Sequence, residues 1–120
     1  MERKEIGARG EAAAAAYLER CGISVIERNW RTSAGEIDII AIDGDELVVC
    51  EVKTRTTVAQ GTPEEAVSPA KQRRLMRLAE AYIAHAGIAA CPVRFDVVSI
   101  RVLDEERALL RHHRAAFTRA

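Results

Sequence analysis

The sequence predicts an α/β domain in which two helices cover the faces of a mixed β-sheet, with the elements in the order α-β-β-β-α-β. Three observations lead to this prediction. Two segments, one near the N-terminus and one in the middle of the chain, repeat apolar residues with helical spacing. Each of these helices has a single apolar stripe, which must be buried against a partner layer. Segments dense in β-branched residues lie between the helices and after the second one.

Length and composition set the domain organisation. The chain has 120 residues, of which 48% are apolar, so it can form one domain with a hydrophobic core. We expect a single domain over residues 1–120, with its core at about 4–102 and a C-terminal extension at 103–120. No run of about 18 apolar residues occurs, which argues against a membrane span. The three cysteines lack zinc-site spacing and suit small core residues in a reducing cytoplasm, where we expect the protein.

The first helix is expected from about Lys4 to Cys21, where alanines dominate, and Gly22 is a good stop signal. At about 100° per residue the alanines, Tyr and Leu collect on one half of this helix. Glu11 falls on the same apolar half, which is an unusual place for a carboxylate. Ser24–Arg31 then has the composition of a strand.

A β-hairpin follows the first strand. Its two segments, Gly35–Ile42 and Leu47–Lys53, are rich in β-branched residues and bracket a cluster of turn residues. Two registers are compatible with this turn. Either Asp43 pairs with Glu46, or Asp43 and Gly44 themselves form the turn.

Two carboxylates, Asp38 and Glu51, interrupt these otherwise apolar strands. In the first register they lie directly opposite each other, and in the second they are diagonal neighbours. Both registers put them on one face of the hairpin, and Lys53 shares the face of Glu51 because strand side chains alternate. Like charges paired across strands cost up to about 1 kcal/mol. The pair therefore predicts a bound divalent cation that offsets the repulsion.

The second helix has clear signals at both ends. Ser68 is a good N-cap with Pro69 at the first helical position, and Gly87 ends the apolar pattern. Lys71 lies at the start of the core-facing stripe, and Arg74 shares its side of the helix.

The remaining segments are a loop, a strand and a tail. Arg55–Gly61 has the composition of a loop, and Val93–Val102 alternates like a strand. We expect the tail from Asp104 onwards to form a short helix or an ordered extension.

The charge balance argues against a simple electrostatic nucleic-acid binder. The chain has 18 Lys and Arg against 18 Asp and Glu, whereas such binders are usually basic. Local basic patches remain, because the second helix carries Lys71, Arg73, Arg74 and Arg77, and four arginines and no acid follow from Arg107 to the end.

Taken together, Glu11 on a first helix, Asp38 in the second strand and Glu51-Val52-Lys53 in the third resemble the PD-(D/E)XK nuclease superfamily. This resemblance implies a restriction-endonuclease-like αβββαβ core, which type II restriction endonucleases and archaeal Holliday-junction resolvases share. A narrower resemblance, over about residues 7–100, is to the YraN family of small bacterial proteins of unsettled function. The pieces of sequence that carry it are Gly35–Asp38, Glu51–Arg55, Ala66–Ser68 with Lys71, Arg74-Leu75, and Arg94–Val98.

The superfamily resemblance implies a role for each residue of the motif. Asp38 and Glu51 would be ligands of Mg²⁺ or Mn²⁺, with the Val52 backbone carbonyl as a third ligand. Lys53 would be the catalytic lysine, and Glu11 would be the helix-borne acid that some members aim at the metal, usually through water.

Two positions depart from the superfamily pattern. Ile37 stands where the motif name expects proline, and Gln72 is followed four residues later by Met76 instead of the tyrosine of RecB-like nucleases. The second departure argues against a RecB-type mechanism. Lys71 matches a basic position that the YraN family has on its second helix.

Several residues keep two interpretations at this point. Lys71, Arg74 and Arg55 either bind phosphates of a nucleic acid beside the site or are solvated surface cations. Glu36 shares the face of Asp38 and is either a ligand, a supporting group or an exposed acid. Glu11 is either functional or a glutamate at the edge of an alanine-rich stripe.

Three more types of residue need an assignment. We expect Asp96 to be a structural partner of an arginine such as Arg74 instead of a catalytic acid. Trp30 either stacks on a base or, as we favour, lies in or beside the core. The three histidines match no catalytic or metal spacing, and we assign them no role.

These features predict a metal-dependent endonuclease that hydrolyses phosphodiester bonds in structured or single-stranded nucleic acid. DNA is favoured over RNA, no membrane partner is expected, and a homodimer stays open. One alternative is a non-catalytic nucleic-acid-binding module that keeps the nuclease fold. Another is a protein-binding adaptor domain whose acidic hairpin contacts its partner.

Overall fold

The computed structural model describes residues 2–56 and 67–118, and within these residues it is an α/β fold with a five-stranded mixed sheet. The predicted α-β-β-β-α-β order is confirmed, and one further strand follows it. The elements are α1 Arg3–Arg20, β1 Ser24–Thr32, β2 Gly35–Asp43, β3 Glu46–Arg55, α2 Pro69–Ala86, β4 Val93–Val102 and β5 Ala108–Phe117.

The strands lie in the order β1-β2-β3-β4-β5, so neighbours in sequence are neighbours in the sheet. Strands β1, β2 and β3 form an antiparallel meander, and β4 and β5 are antiparallel to each other. The β3–β4 pair is parallel, because α2 carries the chain back across the sheet between them. Neither helix in the described part of the chain is both long and apolar enough to cross a membrane.

The helix ends follow the predicted signals. The Ser68 hydroxyl accepts a hydrogen bond from the Lys71 backbone N–H at 3.2 Å and so caps α2. Gly87 ends α2 in the left-handed region at φ 66°, where glycine is favoured. The cap fixes the first turn of α2, and with it the backbone of Lys71.

The sheet separates two hydrophobic cores. On the α2 side, odd-numbered residues of β3 and β4 point inward, including Leu47, Val49, Phe95 and Val97. On the α1 side, even-numbered residues point inward, including Val48, Cys50, Val98 and Ile100. Cys50 is buried as expected, whereas the expectation fails for Cys21, which is exposed at the end of α1.

The hairpin adopts the first of its two predicted registers. Asp43 pairs with Glu46, and the paired residues run as far as Ile39 opposite Cys50. Ile37 and Ile39 are two residues apart, yet they belong to cores on opposite sides of the sheet. The regular alternation along β2 is therefore broken around Asp38, where β2 begins to separate from β3.

The C-terminal tail is a strand, so the helix considered for it is wrong. Leu110 packs on the α1-side core, and the Phe117 ring stacks on Phe95 with centroids 5.1 Å apart. Strand alternation was hard to recognise because histidines and arginines occupy most positions between these apolar residues. Of the predicted Arg55–Gly61 loop, Arg55 ends β3 and residues 57–61 lie outside the described residues.

Candidate active site

The site lies where β2 leaves β3, and two strands and both helices contribute to it. Glu51 and Lys53 point to the α2 side of β3, and Lys71 reaches them from the first turn of α2. Asp38 comes from β2, and its Oδ2 accepts a hydrogen bond of 2.9 Å from the Val52 backbone N–H. The carboxylate of Asp38 thus binds the β3 backbone just beyond the last regular pair of the hairpin.

Glu51 is the most deeply buried of the charged groups in the site, with only 3% of its side chain exposed. Its Oε2 forms an ion pair with Lys71 Nζ and lies 3.5 Å from Lys53 Nζ. Burial by itself would raise the pKa of Glu51, but hydrogen bonds with Asp38 and Lys71 and the two ammonium charges hold that pKa below its usual value. Glu51 is therefore ionised.

Asp38 behaves in the opposite way. Burial, followed by the hydrogen bond and the negative charge of Glu51, raises the pKa of Asp38 to about 8, against the opposing effect of the Val52 N–H. The two carboxyl groups titrate as a pair that holds one proton, because they are close together and largely removed from water. In the absence of a cation that proton resides on Asp38, since Glu51 has both lysines beside it.

The two lysines also differ from each other. Burial lowers the pKa of the Lys53 ammonium, and the charge of Lys71 adds to this, although Glu51 opposes it. Burial acts on Lys71 in the same direction, but its ion pair with Glu51 outweighs this and raises its pKa. Lys53 is therefore the ammonium that gives up a proton more readily.

The donor atoms in this site fit a hard divalent cation. Glu51 Oε2 is buried and, among the described residues, accepts no hydrogen bond of regular geometry. Carboxylate and carbonyl oxygens are the ligands that Mg²⁺ prefers, and Mg²⁺ usually keeps several waters. No group of three or more His, Cys, Asp or Glu in residues 2–56 and 67–118 is arranged to hold a metal. A cation here would thus depend on Asp38, Glu51, the Val52 carbonyl and water.

Glu11 reaches the same region from α1. Burial and the charges of Glu36 and Glu51 raise the pKa of Glu11, whereas a hydrogen bond from the Asn29 side chain lowers it. The buried Gly10 allows this approach, because a Cβ at position 10 would lie 3.1 Å from the Thr54 Cβ on β3. The structure therefore brings together Glu11, Asp38, Glu51 and Lys53, the four residues that the superfamily resemblance implies are catalytic.

The predicted phosphate-binding residues separate into two groups. Lys71 lies inside the site in contact with Glu51, which the sequence did not indicate. Arg74 is exposed and its stem packs over Gly35, and Arg55 is exposed at the end of β3, so for both the phosphate-binding role stays a prediction. Glu36 forms an ion pair of 2.9 Å with Arg31.

Asp96 is fully buried on the α1 side of the sheet, where it has a structural environment. The expected pairing with an arginine is confirmed, but the partner is Arg94 and not Arg74. Arg94 donates from Nε and Nη2 to Asp96 at 2.9 and 3.0 Å. His112 Nε2 lies 2.7 Å from Asp96 Oδ2, and the Ala115 backbone N–H donates to Oδ1. The sequence assigns His112 no role, and only its place opposite Val98 on β5 indicates this contact.

Trp30 lies beside the α2-side core, as we favoured. Its ring makes an edge-to-face contact with Tyr82 at a centroid distance of 5.2 Å.

Comparison with known proteins gives one family. Residues 10–100 match the model of the uncharacterised protein family UPF0102. A UPF0102 protein of Geobacter sulfurreducens is 45% identical over 114 residues, which cover 95% of this chain and 89% of that protein. A UPF0102 protein of a Nocardioides strain is 49% identical over 98 residues, which cover 82% of this chain and 79% of that protein. A UPF0102 protein of an Arthrobacter strain is 52% identical over 101 residues, which cover 83% of this chain and 86% of that protein.

Proposed function

From the premise that this chain belongs to the UPF0102 family, which is the YraN family, we propose that it is a metal-dependent endonuclease acting on structured or single-stranded nucleic acid. DNA is the favoured substrate. The observation that supports this proposal most directly is the cluster of Asp38, Glu51 and Lys53 at the point where β2 leaves β3. Phosphodiester hydrolysis needs a nucleophilic water, neutralisation of charge at phosphorus and help for the leaving oxygen.

The residues of the chain divide these tasks. Asp38, Glu51 and the Val52 carbonyl would hold Mg²⁺ or Mn²⁺, which when bound supplies charge neutralisation and an acidified water. Lys53, 3.5 Å from the Glu51 carboxylate, holds its ammonium where negative charge develops on the attacked phosphate. Burial lowers the pKa of Lys53, which makes Nζ a better proton donor to an oxygen nearby. Glu11 on α1 adds a third carboxyl group beside Asp38 and Glu51.

A second candidate function has its own support. The site needs no cation to offset negative charge, because Asp38 is protonated and the ionised Glu51 faces two ammonium groups. A cluster with this surplus of positive charge suits a non-catalytic nucleic-acid-binding module of nuclease fold.

Cleavage assays separate the two candidates. A panel of branched, nicked and single-stranded DNA and RNA substrates would be incubated with Mg²⁺ or Mn²⁺. For the endonuclease, Glu51→Gln and Lys53→Ala abolish cleavage, while Lys53→Ala still binds the substrate, weakened only by the one phosphate contact that it loses. Glu5→Gln and Lys4→Ala, which change exposed charges of α1, serve as matched controls. Binding without cleavage of any substrate favours the binding module, and cleavage that survives Glu51→Gln contradicts the proposed site.

A further inference from the structure

Several basic side chains of β3, β4 and β5 share one side of the sheet next to the candidate site. Val52 and Thr54 point towards α1, since Val52 packs on the α1-side core and Thr54 contacts Gly10. Lys53 and Arg55 must therefore point to the α2 side, because strand side chains alternate. On β4 and β5 the same alternation puts Arg101 and Arg111 on the α2 side, since Ile100 and Leu110 pack on the α1-side core.

The registers align these cations in two rows across three strands. Lys53 is beside Ser99, and Ser99 is opposite Arg111. Two residues further along the strands, Arg55 is beside Arg101, and Arg101 is opposite Leu109. We call the surface of Lys53, Arg55, Arg101 and Arg111 the basic face.

Among the described residues, the acids of the turn between β4 and β5 belong to the other side of the sheet. Asp104, Glu105 and Glu106, in the turn between β4 and β5, line a cavity of about 350 Å³ on the α1 side together with Gly10. Arg114, the next arginine on β5, does not belong to the basic face, because its Nη1 lies 3.7 Å from Asp43 Oδ2. Within strands β3, β4 and β5, Glu51 is the one carboxylate on the α2 side.

Among residues 2–56 and 67–118, this arrangement of cations is electrostatically unfavourable unless an anion binds to it. Arg55 and Arg101 are side by side on neighbouring strands, and like charges in that position destabilise a sheet. An anion bound between them would remove the repulsion. The face is also continuous with the candidate site, because Lys53 contacts Glu51 and forms the first position of the basic face.

We propose that the basic face binds the phosphodiester backbone of one nucleic-acid strand, which runs from the carboxylates of the site to the β5 edge. The size of the face favours a single strand. Three strands of a sheet span about 10 Å, and two residues along a strand span about 7 Å. This area accommodates two or three phosphates of one backbone but not both backbones of a duplex, whose major groove alone is about 12 Å wide. The exposed Leu109 offers an apolar surface at the edge for a sugar or base.

This proposal rests on the proposed function, and the two can fail separately. Binding is measured without metal, in EDTA, by fluorescence anisotropy of a labelled single-stranded DNA across a salt series. A phosphate contact on single strands contributes about −0.7 to the log–log salt slope. At about 0.1 M salt each lost contact therefore weakens binding about fivefold. The double variant Arg101→Gln/Arg111→Gln should bind about 25-fold more weakly, with a slope reduced in magnitude by about 1.4.

Matched variants make the test specific. Arg73→Gln/Arg77→Gln removes the same charge from the exposed side of α2 and should change affinity less than twofold. Arg101→Lys/Arg111→Lys keeps the charge and should keep the slope, which separates lost contacts from a damaged sheet. Melting temperatures verify that each variant is folded.

Four outcomes would overturn the proposal. They are an unchanged slope in Arg101→Gln/Arg111→Gln, an equal loss in the α2 control, tighter binding of duplex than of single strands, and displacement of DNA by anionic lipid vesicles at equal phosphate concentration. Arginine-dependent binding without any cleavage would leave the basic face intact and refute the nuclease. Cleavage that does not depend on Arg101 and Arg111 would refute the basic face and leave the proposed nuclease intact.

Discussion

Lys71, in the first turn of α2, forms an ion pair with Glu51 in the middle of β3. The contact links the second helix to the candidate site, and the Ser68 cap fixes the turn that carries Lys71. The position of α2 on the sheet and the charge of the site therefore depend on each other.

Replacing Lys71 tests this link. Lys71→Met leaves Glu51 buried with Lys53 as its remaining ammonium partner among the described residues, so the free energy of unfolding should fall. Because 34% of the Lys71 side chain is exposed, the expected loss is about 1–2 kcal/mol, less than for a fully buried pair. Urea denaturation measures it, with Lys4→Met on the exposed side of α1 as the control. Equal stabilities of the two variants would show that the ion pair contributes nothing.

Metal binding should depend on Asp38. Asp38 must take up a proton when the metal-free protein folds at neutral pH, because its pKa is raised to about 8. Asp38→Asn removes this cost and can keep the Val52 hydrogen bond, so the metal-free variant should be more stable than the wild type, by about 1 kcal/mol or more. Mn²⁺ should raise the melting temperature of the wild type only, because a ligand stabilises the state that binds it. Thermal denaturation with and without Mn²⁺ measures both effects. Asp45→Asn, in the exposed hairpin turn, should respond to Mn²⁺ like the wild type. If Asp38→Asn also responds like the wild type, Asp38 is not a ligand.

Stability at acid pH should depend on Asp96. Burial opposes ionisation of Asp96, but hydrogen bonds from His112, Arg94 and the Ala115 N–H hold its pKa below the usual value. A carboxyl group whose pKa is lower in the folded state stabilises the fold above its unfolded pKa of about 3.9, and this contribution is lost as the pH falls through the folded pKa. Asp96→Asn should therefore lose about 2–3 kcal/mol at neutral pH and show a flatter decline of stability below about pH 4.

Urea denaturation from neutral to acid pH measures the contribution of Asp96. The exposed Asp45→Asn is the control, and it should keep the acid decline of the wild type. A decline in Asp96→Asn as steep as that of the wild type would assign the acid sensitivity to other carboxylates.

The packing of α1 on β3 should be sensitive to one methyl group. Gly10→Ala introduces a Cβ that would overlap Thr54 Oγ1 and lie 3.1 Å from Thr54 Cβ. The variant should therefore be less stable by about 1–3 kcal/mol, because α1 must move outward. In contrast, a Cβ at Gly7 meets no atom within 4 Å, so Gly7→Ala should stabilise the same helix by about 0.5–1 kcal/mol. Thermal or urea denaturation shows whether each variant is less or more stable than the wild type. A partial rescue of Gly10→Ala by Thr54→Ala would locate the clash, and independent effects of the two substitutions would exclude it.

Much of this site could be predicted because strands have a strict two-residue period. The turn residues and the β-branched segments predicted the hairpin, and either register brought Asp38 and Glu51 to one face. The ends of α2 could be predicted from Ser68 and Gly87, whose conformational preferences are local.

The remaining features depend on contacts that no local pattern encodes. The ion pair between Lys71 and Glu51 depends on how far α2 slides along the sheet. The contact between His112 and Asp96 depends on β5 pairing with β4, and the apolar residues of β5 were too few to reveal a strand. The break in alternation between Ile37 and Ile39 arises where two strands separate, which is likewise a tertiary feature.

The parallel pairing of β3 with β4 also has a kinetic consequence. Strands β1, β2 and β3 are joined by short turns, so their pairing closes small loops and is fast. The β3–β4 pair brings Glu51 beside Val97 only after the whole α2 crossover has closed, and such non-local contacts slow folding. The paired carboxylates can thus meet once the β2–β3 hairpin forms, whereas Arg55 and Arg101 become neighbours only after the α2 crossover has closed. A nascent chain would acquire its acidic pair before it acquires a surface that attracts phosphate.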